Sequence, residues 1–264
     1  MPLLETDETV LHYELHGTGE PTTVFAHGVA SSIEDIRFLA SGVRGTRVFF
    51  HFRGHGPSGT PEEQPGLWGY PSAARDLRAV ADHVEARRCL GVSLGAGAML
   101  ALLVETPDRF DRAVFVLPAG LDTLRPADPE SDLAQTARLI DLGDLERLTA
   151  HLTAALPPDV AARRGVDRIM RERAERLCGS GVARAIRALP SYAPIADRAA
   201  LATVTCRSLV IAHEGDETHP AAVARELAAA LPAAALHVFD RPWSMLRERA
   251  TLRAVVAGFL GAAG

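Results

Sequence analysis

Lysine and asparagine are absent from this chain: all 28 basic side chains are arginines, and 33 acids outnumber them to leave a net charge of −5. With no basic run anywhere, nucleic acid and anionic membrane surfaces are poor partners, and a small neutral or weakly charged molecule fits better. The Arg- and Ala-heavy usage matches a GC-rich bacterial coding bias and says nothing about function. Cysteine is scarce: Cys89, Cys178 and Cys206 are odd in number and lack paired-ligand spacing. That suggests neither a disulfide framework nor a zinc site, and the three are read as buried thiols. No run approaches the roughly 18 apolar residues of a membrane span. The first ten residues carry acids where a secretory signal needs basic and then apolar residues, so the chain is read as cytoplasmic. Neither H-E-x-x-H nor G-x-G-x-x-G follows a strand-like run, so no metal or organic cofactor is implied.

What is present is apolar: 47% of the 264 residues are hydrophobic, enough for one sizeable core. Strand-length runs recur at Val10 to Leu15, Thr22 to Ala26, Arg47 to His51, Cys89 to Val92, Ala113 to Leu117, Ser208 to Ala212 and Ala234 to Phe239. Several lack polar alternation, as strands covered on both faces do. Helical patterns lie between them at Pro71 to Ala86, Leu94 to Thr106, Pro220 to Ala230 and Leu246 to Leu260. The alternation predicts an α/β fold with a mostly parallel, doubly wound sheet. From Asp122 to Thr203 it breaks off into charged helix patterns at Asp132 to Leu148, Asp167 to Leu177 and Val182 to Leu189. Residues 1–121 and 204–264 therefore form the expected core, and 122–203 a helical cap insertion above the strand ends.

The chemistry concentrates at Gly91-Val92-Ser93-Leu94-Gly95, a G-x-S-x-G stretch directly after one strand and directly before a helix. That setting is what a nucleophile elbow requires, with the serine hydroxyl exposed on a strained turn at a helix N-terminus. The alternative is a surface serine in a βα turn. Upstream, Phe25-Ala26-His27-Gly28-Val29 ends another buried strand. The amides of Val29 and Leu94 are the expected oxyanion hole, a device whose donors are each worth about 3 kcal/mol. His27 is read as structural.

In this order the motifs resemble the α/β-hydrolase superfamily over nearly the whole chain. His51-Phe52-Arg53-Gly54-His55-Gly56-Pro57-Ser58-Gly59 is similar to that family's D-x-R-G-x-G-x-S loop, with His51 where Asp is usual. Leu209 through Pro220 resembles the strand and loop that deliver the triad acid, which the match assigns to Asp216. The resemblance implies the α/β-hydrolase fold, a cap at the insertion and Ser93 as nucleophile.

One element departs. The family's triad histidine follows the last strand as a Gly-His pair, and here Trp243-Ser244 stands in its place. No histidine follows His237, which lies within that strand, about 7 residues or roughly 20 Å of extended chain too early. The chain is similar to actinobacterial hydrolase-like sequences that carry an Arg-Pro loop here and no histidine. A serine without a base is a poor nucleophile, and a triad missing one member keeps only roughly 10³ to 10⁴ of acceleration. Three outcomes stand open: a base supplied by His219, three residues after Asp216; a base supplied by His51 or His55; or none. His219 is the first choice, although before Pro220 it also reads as a solvent-facing residue at a helix start. His51 and His55 read as braces of the Arg53 loop. Ser244 or the Trp243 ring is expected to fill the vacant place beside Ser93.

Trp68, Tyr70, Trp243 and Met245, with Met170, Leu177, Ile186 and Tyr192 of the insertion, are candidates for an apolar ligand wall, and packing is the competing reading. The leading expectation is a hydrolase acting on an ester, thioester or lactone of a small apolar molecule, through Ser93, Asp216 and an atypical base. Two others stand beside it: a non-hydrolytic cyclase, dehydratase or lyase of specialised metabolism on the same scaffold, and a catalytically silent ligand-binding protein.

Overall fold

The computed structural model describes residues 2–261, apart from the side chains of residues 244 and 245. Its buried Val, Leu and Phe runs pair into one sheet from β1 (Leu3–Glu5), β2 (Val10–His16), β3 (Thr23–Ala26), β4 (Arg47–Phe50), β5 (Arg88–Val92), β6 (Arg112–Val116), β7 (Arg207–His213) and β8 (Ala234–Phe239). The order is β1-β2-β4-β3-β5-β6-β7-β8. β2 pairs antiparallel with β1 and β4, and every pairing from β4 through β8 is parallel. This is the α/β-hydrolase fold. The three-residue edge strand β1 is the one strand the apolar runs do not predict, being too short to form a run.

Helices cover both faces: α1 (Ile33–Ile36), α2 (Tyr70–His83), α3 (Leu94–Glu105), α9 (Ala221–Ala230), α10 (Ser244–Arg247) and α11 (Arg249–Gly261). Alternation along each strand splits the interior in two. Val24, Val48, Phe50 and Phe115 face α2, α3 and α9, while Phe25, Phe49, Leu90 and Val114 face α1 and α11. α3 is the most enclosed helix because small residues let its neighbours approach. A Cβ on Gly97 would lie 2.2 Å from the Tyr70 ring, so that ring rests where a side chain would otherwise stand.

Between β6 and β7 the described chain contains only helices: α4 (Asp132–Leu142), α5 (Leu145–Ala154), α6 (Pro158–Ala161), α7 (Val166–Leu177) and α8 (Val182–Ala188), with short 3-10 turns. The single helix expected over Asp132 to Leu148 is broken in two. Gly143 takes a left-handed φ of 64° that ends α4, and Asp144 caps α5 by accepting from the Arg147 amide. Leu139, Ile140, Leu148, Leu177 and Ile186 form a separate apolar cluster that reaches the main body at Ala30 and Val29. The segment thus seats on the loop after β3. Among the described residues no helix is long and apolar enough to cross a membrane. Cys89 and Cys206 are buried and Cys178 is half-buried, and all three are free thiols.

Candidate active site

The parallel register brings the C-terminal ends of β3, β5 and β7 to one edge of the sheet, where a doubly wound fold places its ligands. Ser93 leaves β5 with φ 50° and ψ −105°, a conformation that L-residues adopt only at a cost of about 1–3 kcal/mol. Two close approaches hold it there. A Cβ on Gly91 would sit 2.4 Å from the Gly95 carbonyl, and a Cβ on Gly95 would sit 2.4 Å from the Ala26 carbonyl oxygen. The Ser93 amide donates to the Val116 carbonyl at 3.0 Å, and the Gly95 amide donates to the His27 carbonyl at 3.1 Å. Leu94 opens α3, so its amide has no acceptor within the helix. The loop after β3 lies against the serine, with a Gly28 Cβ position 3.4 Å from Ser93 Cβ. Val29, Leu94 and Ser93 line one cavity.

The loop after β7 supplies an imidazole. His219 Nε2 is 2.9 Å from Ser93 Oγ, and its Nδ1 is 3.0 Å from Asp216 Oδ2. A carboxylate only accepts, so Nδ1 carries the proton and Nε2 is left to accept from the serine hydroxyl. The local chain dictates this pose. Asp216 Oδ1 accepts the amides of Thr218 at 2.8 Å and His219 at 2.9 Å, an Asx turn that folds residue 219 back over the carboxylate. Gly215, at φ 72°, permits the preceding bend. Pro220 then stops the turn and precedes α9, which begins at Ala221 rather than at the proline. Burial pushes the Asp216 carboxyl up, but the hydrogen bonds and charge of His219, with the charge of His213, outweigh it and hold the group at about 2. The acid is therefore ionised throughout the range in which an imidazole titrates.

The His219 ring stands at the serine hydroxyl, and the expectation that the Trp243 ring fills that place does not hold. Trp243 is 39% exposed at φ 65° and is not part of the cavity wall, and the side chain of Ser244 lies outside the described residues. The solvent-facing reading of His219 fails as well, since its side chain is 17% exposed and engaged at both nitrogens.

The imidazoles of the loops after β3 and β4 are committed elsewhere. His27 donates from Nδ1 to the Gly28 carbonyl at 2.7 Å and accepts the Phe52 amide at Nε2, and full burial pushes its pKa down to about 3. His55 donates from Nδ1 to the Arg53 carbonyl at 3.0 Å. Arg53 itself is buried against Asp76 at 2.7 Å and Glu8 at 2.7 Å, so His55 braces that loop as expected. His51 faces His12 at 3.1 Å and the Ile33 amide at 3.4 Å, at the start of α1.

The cavity holds about 810 Å³ between the sheet edge and the helical segment. Buried Leu94, Tyr70, Ala137 and Ile186 belong to its apolar wall, whereas exposed Arg125, Asp128, Arg138 and Asp141 stand at the mouth. Of the ligand-wall candidates, Tyr70, Ile186 and Tyr192 line it. Trp68 instead borders a separate void of about 10 Å³, and Met170 and Leu177 pack in the interior of the helical segment. The Met245 side chain lies outside the described residues. Among the described residues no group of three His, Cys, Asp or Glu side chains is arranged to hold a metal ion.

Comparison with solved structures finds the same architecture widely. The chain superposes on the enol-lactonase from Burkholderia xenovorans LB400 with a TM-score of 0.81 at 21% identity, covering 99% of this chain and 100% of that one. A hydrolase from Pseudomonas aeruginosa PA01 matches with a TM-score of 0.78 at 24% identity over 99% of this chain and 98% of its own. The esterase EaEST from Exiguobacterium antarcticum matches with a TM-score of 0.75 at 18% identity over 96% of each chain. No curated protein matches in sequence. The profile of the Alpha/beta hydrolase family matches residues 15–252, spanning the elbow, the Arg53 loop and the β7 loop together. On that match, and with the family's sheet order beneath it, the chain belongs to the alpha/beta hydrolase family.

Proposed function

We propose that this protein is a serine hydrolase that cleaves an ester, thioester or lactone of a small, largely apolar molecule through an acyl-Ser93 intermediate. The observation that carries the reading is the 2.9 Å contact between His219 Nε2 and Ser93 Oγ, backed by Asp216 at 3.0 Å. His219 takes the serine proton as Oγ attacks the substrate carbonyl, and Asp216 steadies the imidazolium that forms. The developing oxyanion is met by the amides of Val29 and Leu94. Collapse returns the proton from His219 to the departing alkoxide or thiolate and leaves the acyl group on Ser93. Water, deprotonated by the same imidazole, then releases the carboxylic acid. The buried apolar wall favours an apolar acyl or leaving group, and an enol-lactonase and an esterase among the similar structures are consistent with that bond class.

The non-hydrolytic and silent readings drew their weight from a missing base, and an imidazole hydrogen-bonded to Ser93 removes that motive. The test is covalent capture. A fluorophosphonate probe adds one phosphonyl group to the intact protein, peptide mapping locates it at Ser93, and Ser93→Ala abolishes it while the folded spectrum is retained. Absence of labelling in the folded parent protein would sink the proposal.

A further inference from the structure

The carboxylate of Asp216 has a second imidazole on it. His213 Nε2 lies 3.4 Å from Asp216 Oδ2, the oxygen that also accepts from His219 Nδ1 at 3.0 Å. His213 is the last residue of β7, and its side chain is only 6% exposed. Its other nitrogen, Nδ1, faces the Glu214 carbonyl at 3.4 Å. Both nitrogens thus look at oxygens that can only accept, and a neutral imidazole carries one N–H; placed on Nε2 it faces the carboxylate, the stronger acceptor of the two. The spacing behind this is His213-x-x-Asp216-x-x-His219, an acid with an imidazole three residues to either side on one loop. Of the neighbouring charges, Glu214 is ion-paired with Arg225 and Arg125 donates to the Thr218 carbonyl, while the residue opposite His213 in the sheet is Phe239 on β8.

We propose that His213 is a positioning residue for the catalytic base, donating to Asp216 Oδ2 and so fixing both the orientation of the carboxylate and the share of its charge that His219 feels. It rests on the reading of Asp216 and His219 as acid and base. The carboxylate accepts three hydrogen bonds, from two backbone amides and His219 Nδ1, and His213 Nε2 stands beside them at 3.4 Å. Removing His213 leaves Oδ2 to His219 alone. The carboxylate then attracts the His219 imidazolium more strongly, and the ring holds its proton to higher pH.

The experiment follows the ring nitrogens of His219 in ¹⁵N-histidine-labelled full-length protein across pH, for the parent chain, H213A and H213Q. The expected result is an upward move of the His219 midpoint of about 0.5 pH unit in H213A and a return most of the way in H213Q, whose amide still donates. Turnover of a simple activated ester should fall about tenfold in kcat for H213A with KM within about twofold, and recover in H213Q. An H213A protein with unchanged midpoint and unchanged kcat overturns the proposal, as does an H213Q no different from H213A. Should H213A fail to fold, H213Q against H213M compares side chains of similar length with and without a donor. If the parent chain hydrolyses no ester and Ser93 takes no probe, the function proposed above fails, and the His219 midpoint still decides the part played by His213.

Discussion

His213 and His219 share one carboxylate, whereas His12, His27, His51 and His55 share only one another and the backbone. Both groups sit close to the sheet edge that carries Ser93. In the second group the ring centroids lie 5.3 Å apart for His12 and His51, 5.6 Å for His27 and His51, and 4.8 Å for His27 and His55. Burial there is nearly complete, and it pushes His27 and His55 down to about 3 and His51 to about 4. Such rings stay neutral near pH 7, and among the described residues none of them faces a carboxylate: their contacts are with amides, carbonyls and one another, and Nε2 of His12 and of His55 has no hydrogen-bond partner. Nearness to a nucleophile therefore does not make an imidazole a base. An ionised carboxylate behind it and a free nitrogen in front do.

The largest effect that would break this contrast belongs to His219→Ala. It should lower kcat on an activated ester by about 10² to 10⁴, with stability within about 1 kcal/mol of the parent by thermal unfolding, because the ring props nothing but the carboxylate. A variant that keeps most of its activity would return attention to the buried cluster.

The next effect is on stability and belongs to that cluster. Above pH 6.5 both folded and unfolded chains hold these rings neutral, so their contribution is constant. Below it the unfolded chain binds protons that the folded chain refuses until about pH 4 for His51 and about pH 3 for His27 and His55. Stability is therefore complete above 6.5 and is lost as pH falls toward 4 and 3, at about 1.4 kcal/mol per pH unit for each ring. Urea unfolding between pH 7 and 4.5 should show this slope. His55→Gln, which keeps a donor for the Arg53 carbonyl, should flatten it by about a third. An unchanged slope in that variant would mean that the cluster opens to water before the molecule unfolds.

The smallest effect concerns the loop after β8. Placing a histidine where the family carries it, with Trp243→Gly and Ser244→His together, should change parent activity by no more than about twofold, because the His219 ring already stands at the Ser93 hydroxyl. A large gain in the ester assay would show that His219 is a poor substitute. The two loops touch, with Pro242 3.6 Å from the Cβ position of Gly215, so the paired change also probes whether the β8 loop supports the bend before Asp216.

The sequence makes some of this legible and hides the rest for definable reasons. Ser93 and Leu94 are readable because an elbow needs glycines at fixed offsets from the serine, Val29 because it follows a buried strand, and Asp216 through its resemblance to the family's loop, three residues past the end of β7. The central strand runs are readable because they are covered on both faces, and the half-exposed β2 and β8 because they are long enough to form a run. β1 is not, being three residues at an edge, and the break at Gly143 is lost within a continuous charged helical pattern. His219 can be nominated from its loop, but its direction cannot, since Asp-x-x-His before a proline is equally a helix start. Only the fold around Ser93 turns that ring inward. His213 escapes because its partner is set by an Asx turn three residues later, although the symmetric spacing about Asp216 is a signal in plain view. The cavity wall also misleads: Trp68 and Tyr70 are near neighbours in sequence, yet only Tyr70 reaches the large cavity.

The crowding at Gly91 and Gly95 bears on descent. Any side chain at either position collides with backbone, so the turn that presents the serine tolerates no substitution there without the backbone shifting. A base needs only reach, and several loops end at the same rim. A lineage can exchange one imidazole for another while the elbow stays untouched, passing through a stage with both or with neither.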